Sequence, residues 1–170
     1  MNEENKKLIM FDFDGVLVDT LFVGNKIVEE INYDNSVREI KIPNFLKEIV
    51  SALAKKYILV IISSGGTSSI KKILEKENVY GYFNDILGND VNTSKISKIK
   101  IVLEKYNILP KNSIFITDTL SDTLEAKECE VKSIAVTWGF NDRKTLEKGN
   151  PIVIIDDPRD LLEAIQNVLK

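Results

Sequence analysis

Histidine is absent from this sequence of 170 residues, and cysteine occurs once, at Cys129. The lack of histidine excludes Ser-His-Asp and Cys-His catalytic triads as well as histidine-rich zinc sites. One cysteine cannot form an intramolecular disulfide or a multi-cysteine metal site, and we interpret it as a small buried apolar side chain. Acid–base chemistry in this chain must therefore come from carboxylates, lysine, tyrosine, cysteine or a bound metal.

The sequence also lacks an excess of positive charge and a long apolar run. It has 23 Lys and Arg against 26 Asp and Glu, a formal net charge of -3, whereas a general nucleic-acid binder is usually basic. No stretch is long enough to span a membrane, and the charged start MNEENKK does not resemble a signal peptide. We therefore expect a cytoplasmic protein with neither a membrane nor nucleic acid as a general partner.

Short apolar, β-branched runs recur along the chain, separated by segments with helical spacing. The runs are 8–13, 57–63, 113–117, 133–138 and 152–155, with a weaker sixth at 83–87. Apolar stripes at helical spacing lie within 42–53, 96–106 and 161–169. Short, nearly continuous apolar runs are typical of strands buried on both faces. Their alternation with helices predicts an α/β fold with a mainly parallel central sheet, in a single domain over residues 1–170.

The segment 16–41 is the least regular part of the sequence. It contains a partly helical stretch at 25–31, followed by turn-like residues at 32–36. We interpret it as a short flap that leaves the main sheet rather than as a separate domain.

Pairs of carboxylates follow two of the predicted strands. The first strand ends in Asp12 and Asp14, which would share a face of an extended chain, and Gly15 allows a sharp turn there. A later strand is followed by Asp118 and Asp122, which on their own could be helix-capping residues. Because the carboxyl ends of parallel strands meet at one edge of the sheet, these carboxylates would repel one another without a cation. Mg²⁺ prefers oxygen ligands and would relieve that repulsion.

Two further features could hold a phosphate group at the same edge. The second strand ends in Ser63 and Ser64, followed by Gly-Gly-Thr at the start of a helical stretch. Hydroxyls and amides at a helix N-terminus form an anion site, although this one taken alone is more simply an N-cap with a flexible turn. Lys95 begins another predicted helix and would by itself be an ordinary solvated lysine.

Together these residues resemble the haloacid dehalogenase-like hydrolase superfamily. Its motifs are a strand ending in Asp-x-Asp-Gly and often Asp-Thr, a strand ending in Ser or Thr, a lysine at a helix start, and a strand followed by Gly-Asp-x-x-x-Asp. They are matched, in this order, by residues 11–20, Ser63, Lys95, and Asp118 with Asp122. The stretch 135–140 is similar to the phosphoglycolate phosphatase-like branch. The resemblance implies a three-layer Rossmann-like α/β fold with a minimal cap at 16–41.

The resemblance also implies a Mg²⁺-dependent phosphatase that hydrolyses a phosphate monoester. Asp12 would attack phosphorus to form an aspartyl-phosphate, and Asp14 would protonate the leaving alkoxide and then help to activate water. The metal would be held by the side chains of Asp12 and Asp118 and by the backbone carbonyl of Asp14. Asp122 would lie near or beyond these ligands. The phosphoryl oxygens would be held by Ser63, Lys95 and backbone amides near Gly15 and Ser64.

The sequence departs from the family pattern in three places. Thr117 stands where the family usually has glycine, although it touches none of the proposed ligand roles. Lys95 is followed by isoleucine rather than the common proline, and Lys98 lies one turn later on a similar face, so either lysine could hold the phosphate. The excursion 16–41 is far shorter than the usual cap. An open site suits a macromolecular phosphorylated substrate, or a small one covered by a second copy of the chain.

Alternatives to a phosphatase follow from the same motifs. A phosphomutase of this fold usually needs a cap that excludes water, and a catalytically silent metal-binding scaffold would keep the motifs without turnover. A receiver-like domain carries its acidic pair and its phosphorylated aspartate on different strands, whereas Asp12 and Asp14 share one strand here. Asp14 also disfavours dehalogenation, because a halide leaves without a proton.

Overall fold

The fold is organised around a six-stranded parallel sheet. The computed structural model describes residues 6–18 and 40–170, and there the strands are β1 (Leu8–Phe11), β2 (Ile58–Ile62), β3 (Asp85–Leu87), β4 (Ser113–Thr117), β5 (Lys132–Val136) and β6 (Val153–Ile155). Their order is β3-β2-β1-β4-β5-β6, and each neighbouring pair runs parallel. Every predicted run, including the weaker one, overlaps a strand, and the predicted α/β fold is confirmed.

Helices cover both faces of this sheet. They are α1 (Asn44–Ala54), α2 (Thr67–Lys76), α3 (Lys95–Tyr106), α4 (Leu120–Glu128), α5 (Arg143–Glu147) and α6 (Leu161–Val168), with 3₁₀ turns at Tyr80–Tyr82, Pro110–Asn112 and Pro158–Asp160. Ser94, Thr119 and Asp142 cap α3, α4 and α5 by accepting a hydrogen bond from a first-turn amide. Across the described ranges, no helix is both long and apolar enough to cross a bilayer.

Strand residues alternate between two apolar layers, which explains why the runs are apolar almost throughout. Ile9 and Phe11 of β1 belong to the layer that contains residues of α1, α2 and α6. Leu8 and Met10 belong to the layer that contains residues of α3 and α4. All four side chains are fully buried. Because successive side chains point to opposite faces, a strand that is covered on both sides must be apolar at every position.

The sheet order brings three of the predicted motifs to one edge. β1 lies between β2 and β4, and its residues are paired in register with both neighbours. Asp12, Ser63 and Asp118 are the first residues after β1, β2 and β4. They therefore emerge side by side at the carboxyl edge of the sheet, where ligands bind in open α/β proteins.

The predicted excursion at 16–41 is described only at its two ends. Its first end is held by Trp138, whose Nε1 donates a hydrogen bond to the Val16 carbonyl at 3.2 Å. The interval 19–39, which includes the Asp-Thr of the first motif, lies outside the described residues. The size of the flap therefore stays a prediction.

Glu77, directly after α2, holds the chain where it re-enters the described fold. Its Oε2 accepts a hydrogen bond from the Ile42 amide at 3.3 Å and lies 2.7 Å from Lys47 Nζ. Burial raises the pKa of the Glu77 carboxyl, but the hydrogen bonds from Lys47 and Ile42 outweigh burial and lower the pKa overall. Such a carboxyl stabilises the fold above its unfolded pKa, and this stability is lost as the pH falls through the folded pKa.

Glu77→Gln is expected to lower the free energy of unfolding by about 1–2 kcal/mol near neutral pH, because the amide loses the charge that pairs with Lys47. The difference from the wild type should shrink below about pH 4. Denaturant unfolding near neutral pH and below about pH 4 checks this. Glu75→Gln is the control, because Glu75 forms an exposed ion pair with Lys71. An equal destabilisation under both conditions would contradict the role of the Glu77 charge.

Candidate active site

A buried lysine joins two of the predicted site carboxylates. Lys95 is the first residue of α3, and its Nζ lies 2.6 Å from Oδ2 of Asp12 and 2.6 Å from Oδ2 of Asp122. The three residues are 6%, 5% and 6% exposed, respectively. The capping hydrogen bond from the Ser97 amide to Ser94 Oγ, at 3.2 Å, fixes the start of the helix that carries the lysine. The structure thus places Lys95 at the predicted nucleophile.

The three charges change one another's pKa. Burial raises the pKa of Asp12 well above its usual value, although the Lys95 ammonium opposes this. Burial also acts to raise the pKa of Asp122, but Lys95, together with hydrogen bonds from Asp12 and Thr117, lowers it overall. Burial acts to lower the pKa of Lys95, and the two carboxylates outweigh it and raise that pKa. One ammonium therefore serves two carboxyl groups whose pKa values are driven in opposite directions.

Thr117 has a contact that the sequence analysis missed. Its Oγ1 donates to Oδ2 of Asp122 at 2.8 Å and accepts from the Thr119 amide at 3.2 Å. The hydroxyl therefore orients Asp122 at the first turn of α4. The only signal in the sequence was the replacement of the usual glycine by a residue with a hydroxyl group.

Asp118 lies in a narrow slot between two loops. It is fully buried, and its Oδ2 accepts a hydrogen bond from the Phe140 amide at 2.8 Å. A Cβ at Gly139 would lie 2.2 Å from that oxygen, and one at Gly15, where φ is +76°, would lie 2.1 Å from it. Only glycine fits at these two positions. Gly139 was not among the predicted site residues, although it lies in the stretch 135–140 that the sequence analysis singled out.

Asp14 and Ser63 both lie close to Gly65. A Cβ at Gly65 would be 3.4 Å from Ser63 Oγ and 3.7 Å from Asp14 Oδ2, and the Gly65 amide donates to Ser63 Oγ at 3.0 Å. Asp14 is half-buried, Ser63 is fully buried and Ser64 is exposed. The second strand end therefore meets the first motif, as its position after β2 predicted.

The start of α2 contributes less to an anion site than its sequence suggested. The Thr67 amide, the first of the helix, donates to Asp90 Oδ1 at 2.8 Å. That amide is thus satisfied by a carboxylate, and the Gly65 amide donates to Ser63 Oγ. Among residues 64–67, the amides of Ser64 and Gly66 are therefore the ones that this strand end could offer to a phosphoryl group.

The two candidate lysines have different partners. Whereas Lys95 Nζ reaches Asp12 and Asp122, Lys98 Nζ donates to the backbone carbonyl of Ser63 at 2.6 Å. Both lysines are buried. Of the two, Lys95 is the one that lies against the predicted reacting carboxylate.

The donor set fits one hard cation at Asp118. In the described ranges, no three acidic side chains converge closely enough to hold a metal by themselves, and the ligands expected above include the backbone carbonyl of Asp14 rather than its side chain. Mg²⁺ needs only one or two carboxylates, because it keeps several waters. Oδ1 of Asp118 is buried with no hydrogen-bond partner among residues 6–18 and 40–170. A buried carboxylate oxygen without a donor is costly, and a cation is its natural partner.

Comparison with known proteins identifies a family. The haloacid dehalogenase-like hydrolase family matches residues 23–136, about two thirds of the chain. A phosphoglycolate phosphatase from Synechococcus elongatus is 25% identical over 117 residues, which cover 69% of this chain and 55% of that protein. One from Escherichia coli is 26% identical over 126 residues, covering 72% and 50%. The chain spans about half the length of these curated relatives.

Solved structures share the fold. A haloacid dehalogenase-like family hydrolase from Streptococcus pneumoniae superposes with a TM-score of 0.79 and 20% sequence identity, over 96% of this chain and 100% of that one. At this identity the likeness establishes the fold alone, and it agrees with the parallel sheet and flanking helices described above.

Gly139→Ala is expected to lower the free energy of unfolding by about 1–3 kcal/mol, because its Cβ would overlap Asp118 Oδ2. Gly81→Ala is the matched control, because a Cβ there meets nothing within 4 Å. It should change stability by no more than about 0.5 kcal/mol. Thermal unfolding of both variants checks this, and equal effects would contradict the tight slot around Asp118.

Mg²⁺ is expected to raise the melting temperature of the wild-type protein, with about 2.7 kcal/mol of added stability at a hundredfold excess over Kd. Asp118→Asn should lose most of this gain, because the neutral amide lacks the negative charge of the carboxylate and has one oxygen instead of two. The exposed Asp160→Asn should keep the gain. Equal Mg²⁺ stabilisation of all three proteins would contradict a cation site at Asp118.

Proposed function

The chain belongs to the haloacid dehalogenase-like hydrolase family, and we propose that it is a Mg²⁺-dependent phosphatase acting on a phosphate monoester. The observation that carries the proposal is the buried contact between Lys95 Nζ and Asp12 Oδ2, at 2.6 Å. This contact places the Lys95 ammonium beside the Asp12 carboxylate, which directly follows β1. A fixed positive charge beside a carboxylate nucleophile is what transfer of an anionic phosphoryl group needs.

Asp12 is the proposed nucleophile. One of its oxygens attacks phosphorus while the bond from phosphorus to the ester oxygen breaks, which leaves an aspartyl-phosphate on Asp12. The attack needs the ionised carboxylate, and burial opposes ionisation by raising the pKa of Asp12. Lys95 favours the ionised form, and Mg²⁺ held by Asp12, Asp118 and the carbonyl of Asp14 would supply further positive charge to this carboxylate and to the phosphoryl oxygens.

Asp14 is the proposed acid and base. It lies beside Gly65 and Ser63 and is only half-buried. It would donate its proton to the leaving alkoxide, and would then accept a proton from the water that attacks the aspartyl-phosphate. The products are the alcohol, inorganic phosphate and Asp12 in its original form.

The remaining predicted residues would hold the phosphoryl oxygens. Ser63 Oγ would donate a hydrogen bond, and the amides near Gly15 and Ser64 would add further donors. Lys95 would exchange part of its contact with Asp12 and Asp122 for a phosphoryl oxygen as the charge moves there. Asp122, held by Thr117 at 2.8 Å, would keep the lysine in place during that exchange.

The substrate is proposed at the level of a phosphorylated small molecule or macromolecule. The names of the relatives support small phosphate esters such as phosphoglycolate as the first compounds to test. We further propose that residues 1–170 form one domain with 16–41 as a short flap, and that the open site either takes a macromolecular substrate directly or is covered by a second copy of the chain.

Phosphate release from an aryl phosphate with Mg²⁺ tests the proposal. The wild-type protein should turn over, and Asp12→Asn should lower kcat by more than about 10³-fold, because the amide cannot attack phosphorus. Asp160→Asn, exposed and remote in sequence from every motif, is the control and should keep full activity.

Other outcomes would favour the other interpretations. Turnover that requires a sugar bisphosphate would support a phosphomutase. Mg²⁺ binding without hydrolysis of any ester in a broad screen would support a silent scaffold. Activity that persists in Asp12→Asn would contradict the assigned nucleophile.

A further inference from the structure

Lys98 is a buried cation to which the mechanism above gives no task. Its side chain is fully buried. Its hydrogen-bond partners are backbone carbonyls rather than carboxylates, the Ser63 carbonyl at 2.6 Å and the Gly88 carbonyl at 3.5 Å. Lys98 therefore ties the end of β2 to the loop that follows β3.

These two loops are already interlocked, and Lys98 lies where they meet. We call residues 63–67 the serine loop and residues 88–90 the glycine loop. The Asn89 amide donates to the Gly65 carbonyl at 2.9 Å, and the Gly88 amide donates to Thr67 Oγ1 at 3.0 Å. A Cβ at Gly88 would lie 2.4 Å from the Thr67 amide nitrogen. The glycine loop thus fixes the conformation of the serine loop, and the Lys98 ammonium is hydrogen-bonded to both loops.

Burying this ammonium is unfavourable. Burial lowers the pKa of Lys98, and the nearby charge of Lys95 lowers it further. An apolar side chain of similar length would fill the same space without that desolvation cost. An apolar side chain would, however, lack a hydrogen-bond donor for the backbone carbonyl of Ser63. Ser63 is the residue whose hydroxyl is predicted to bind phosphate.

We propose that Lys98 is a positioning residue for phosphate binding: by holding the Ser63 carbonyl, it fixes the direction of Ser63 Oγ and of the amides that follow. The inference rests on the proposed function, because it gives the serine loop the task of binding phosphoryl oxygens. Lys95 touches the reacting carboxylate, whereas Lys98 donates its hydrogen bonds to the backbone carbonyls of Ser63 and Gly88. The two lysines, one turn apart on α3, therefore have separate tasks.

Calorimetric binding of inorganic phosphate in the presence of Mg²⁺ tests the proposal independently of turnover. Lys98→Met should weaken phosphate binding about tenfold and lower kcat/KM for an aryl phosphate about 10²-fold, because a small misplacement of a binding group has effects of this size. Lys100→Met, an exposed lysine on the same helix, is the matched control and should bind and turn over like the wild type. Lys98→Gln keeps an N–H donor for the carbonyl and should lose less than Lys98→Met.

A double-mutant cycle with Ser63→Ala separates positioning from a general structural role. If Lys98 acts through Ser63, adding Lys98→Met to Ser63→Ala should cost much less than adding it to the wild type. Losses that multiply would overturn the proposal, as would phosphate binding that is unchanged in Lys98→Met and Lys98→Gln.

The outcomes also separate this inference from the proposed function. Phosphate binding that weakens in Lys98→Met without any wild-type turnover would support the positioning role and overturn the phosphatase. Normal wild-type turnover with no effect of Lys98→Met would support the phosphatase and overturn the positioning role of Lys98. A wild-type protein that neither binds phosphate nor hydrolyses an ester would overturn both.

Discussion

The ammonium of Lys95, placed 2.6 Å from the carboxylates of both Asp12 and Asp122, is the interaction on which the rest of the site depends. Two carboxylates at this depth would repel each other, and desolvation would drive both toward their neutral forms. The lysine keeps its own charge because the carboxylates raise its pKa more than burial lowers it. The start of α3 is therefore linked electrostatically to the end of β1 and to the first turn of α4, and a change of charge at one of these places alters the other two.

Around this charge centre, the site is supported by close packing and by backbone hydrogen bonds. Asp118 is held between Gly15 and Gly139, where a side chain of any kind would overlap it. Ser63 is held through its carbonyl by Lys98 and through its hydroxyl by the Gly65 amide. Such supports hold the carboxylate of Asp118 and the hydroxyl of Ser63 in place, which would reduce the reorganisation that the proposed phosphoryl transfer requires.

Much of the fold and the identity of the site residues could be predicted from the sequence, because both depend on local patterns. Apolar runs with β-branched residues located the strands, whereas the order of the strands in the sheet came from the structure. The role of Thr117 could not be predicted, because it depends on an oxygen of Asp122 that the first turn of α4 brings back toward the strand. The metal ligands stay a prediction, and the structure adds that Oδ2 of Asp122 is hydrogen-bonded by Lys95 and Thr117.

The sequence by itself determined the chemical inventory of this protein: carboxylates after two strands, hydroxyls after a third, lysines at a helix start, and no histidine. These are properties of the order of residues along the chain, and the periodicity of burial makes them visible. Only the tertiary structure decided which lysine meets Asp12 and which meets the Ser63 carbonyl. Lys95 and Lys98 are one turn apart on the same helix, and their partners are set by how α3 lies against the sheet edge, a long-range packing relation that no local pattern encodes.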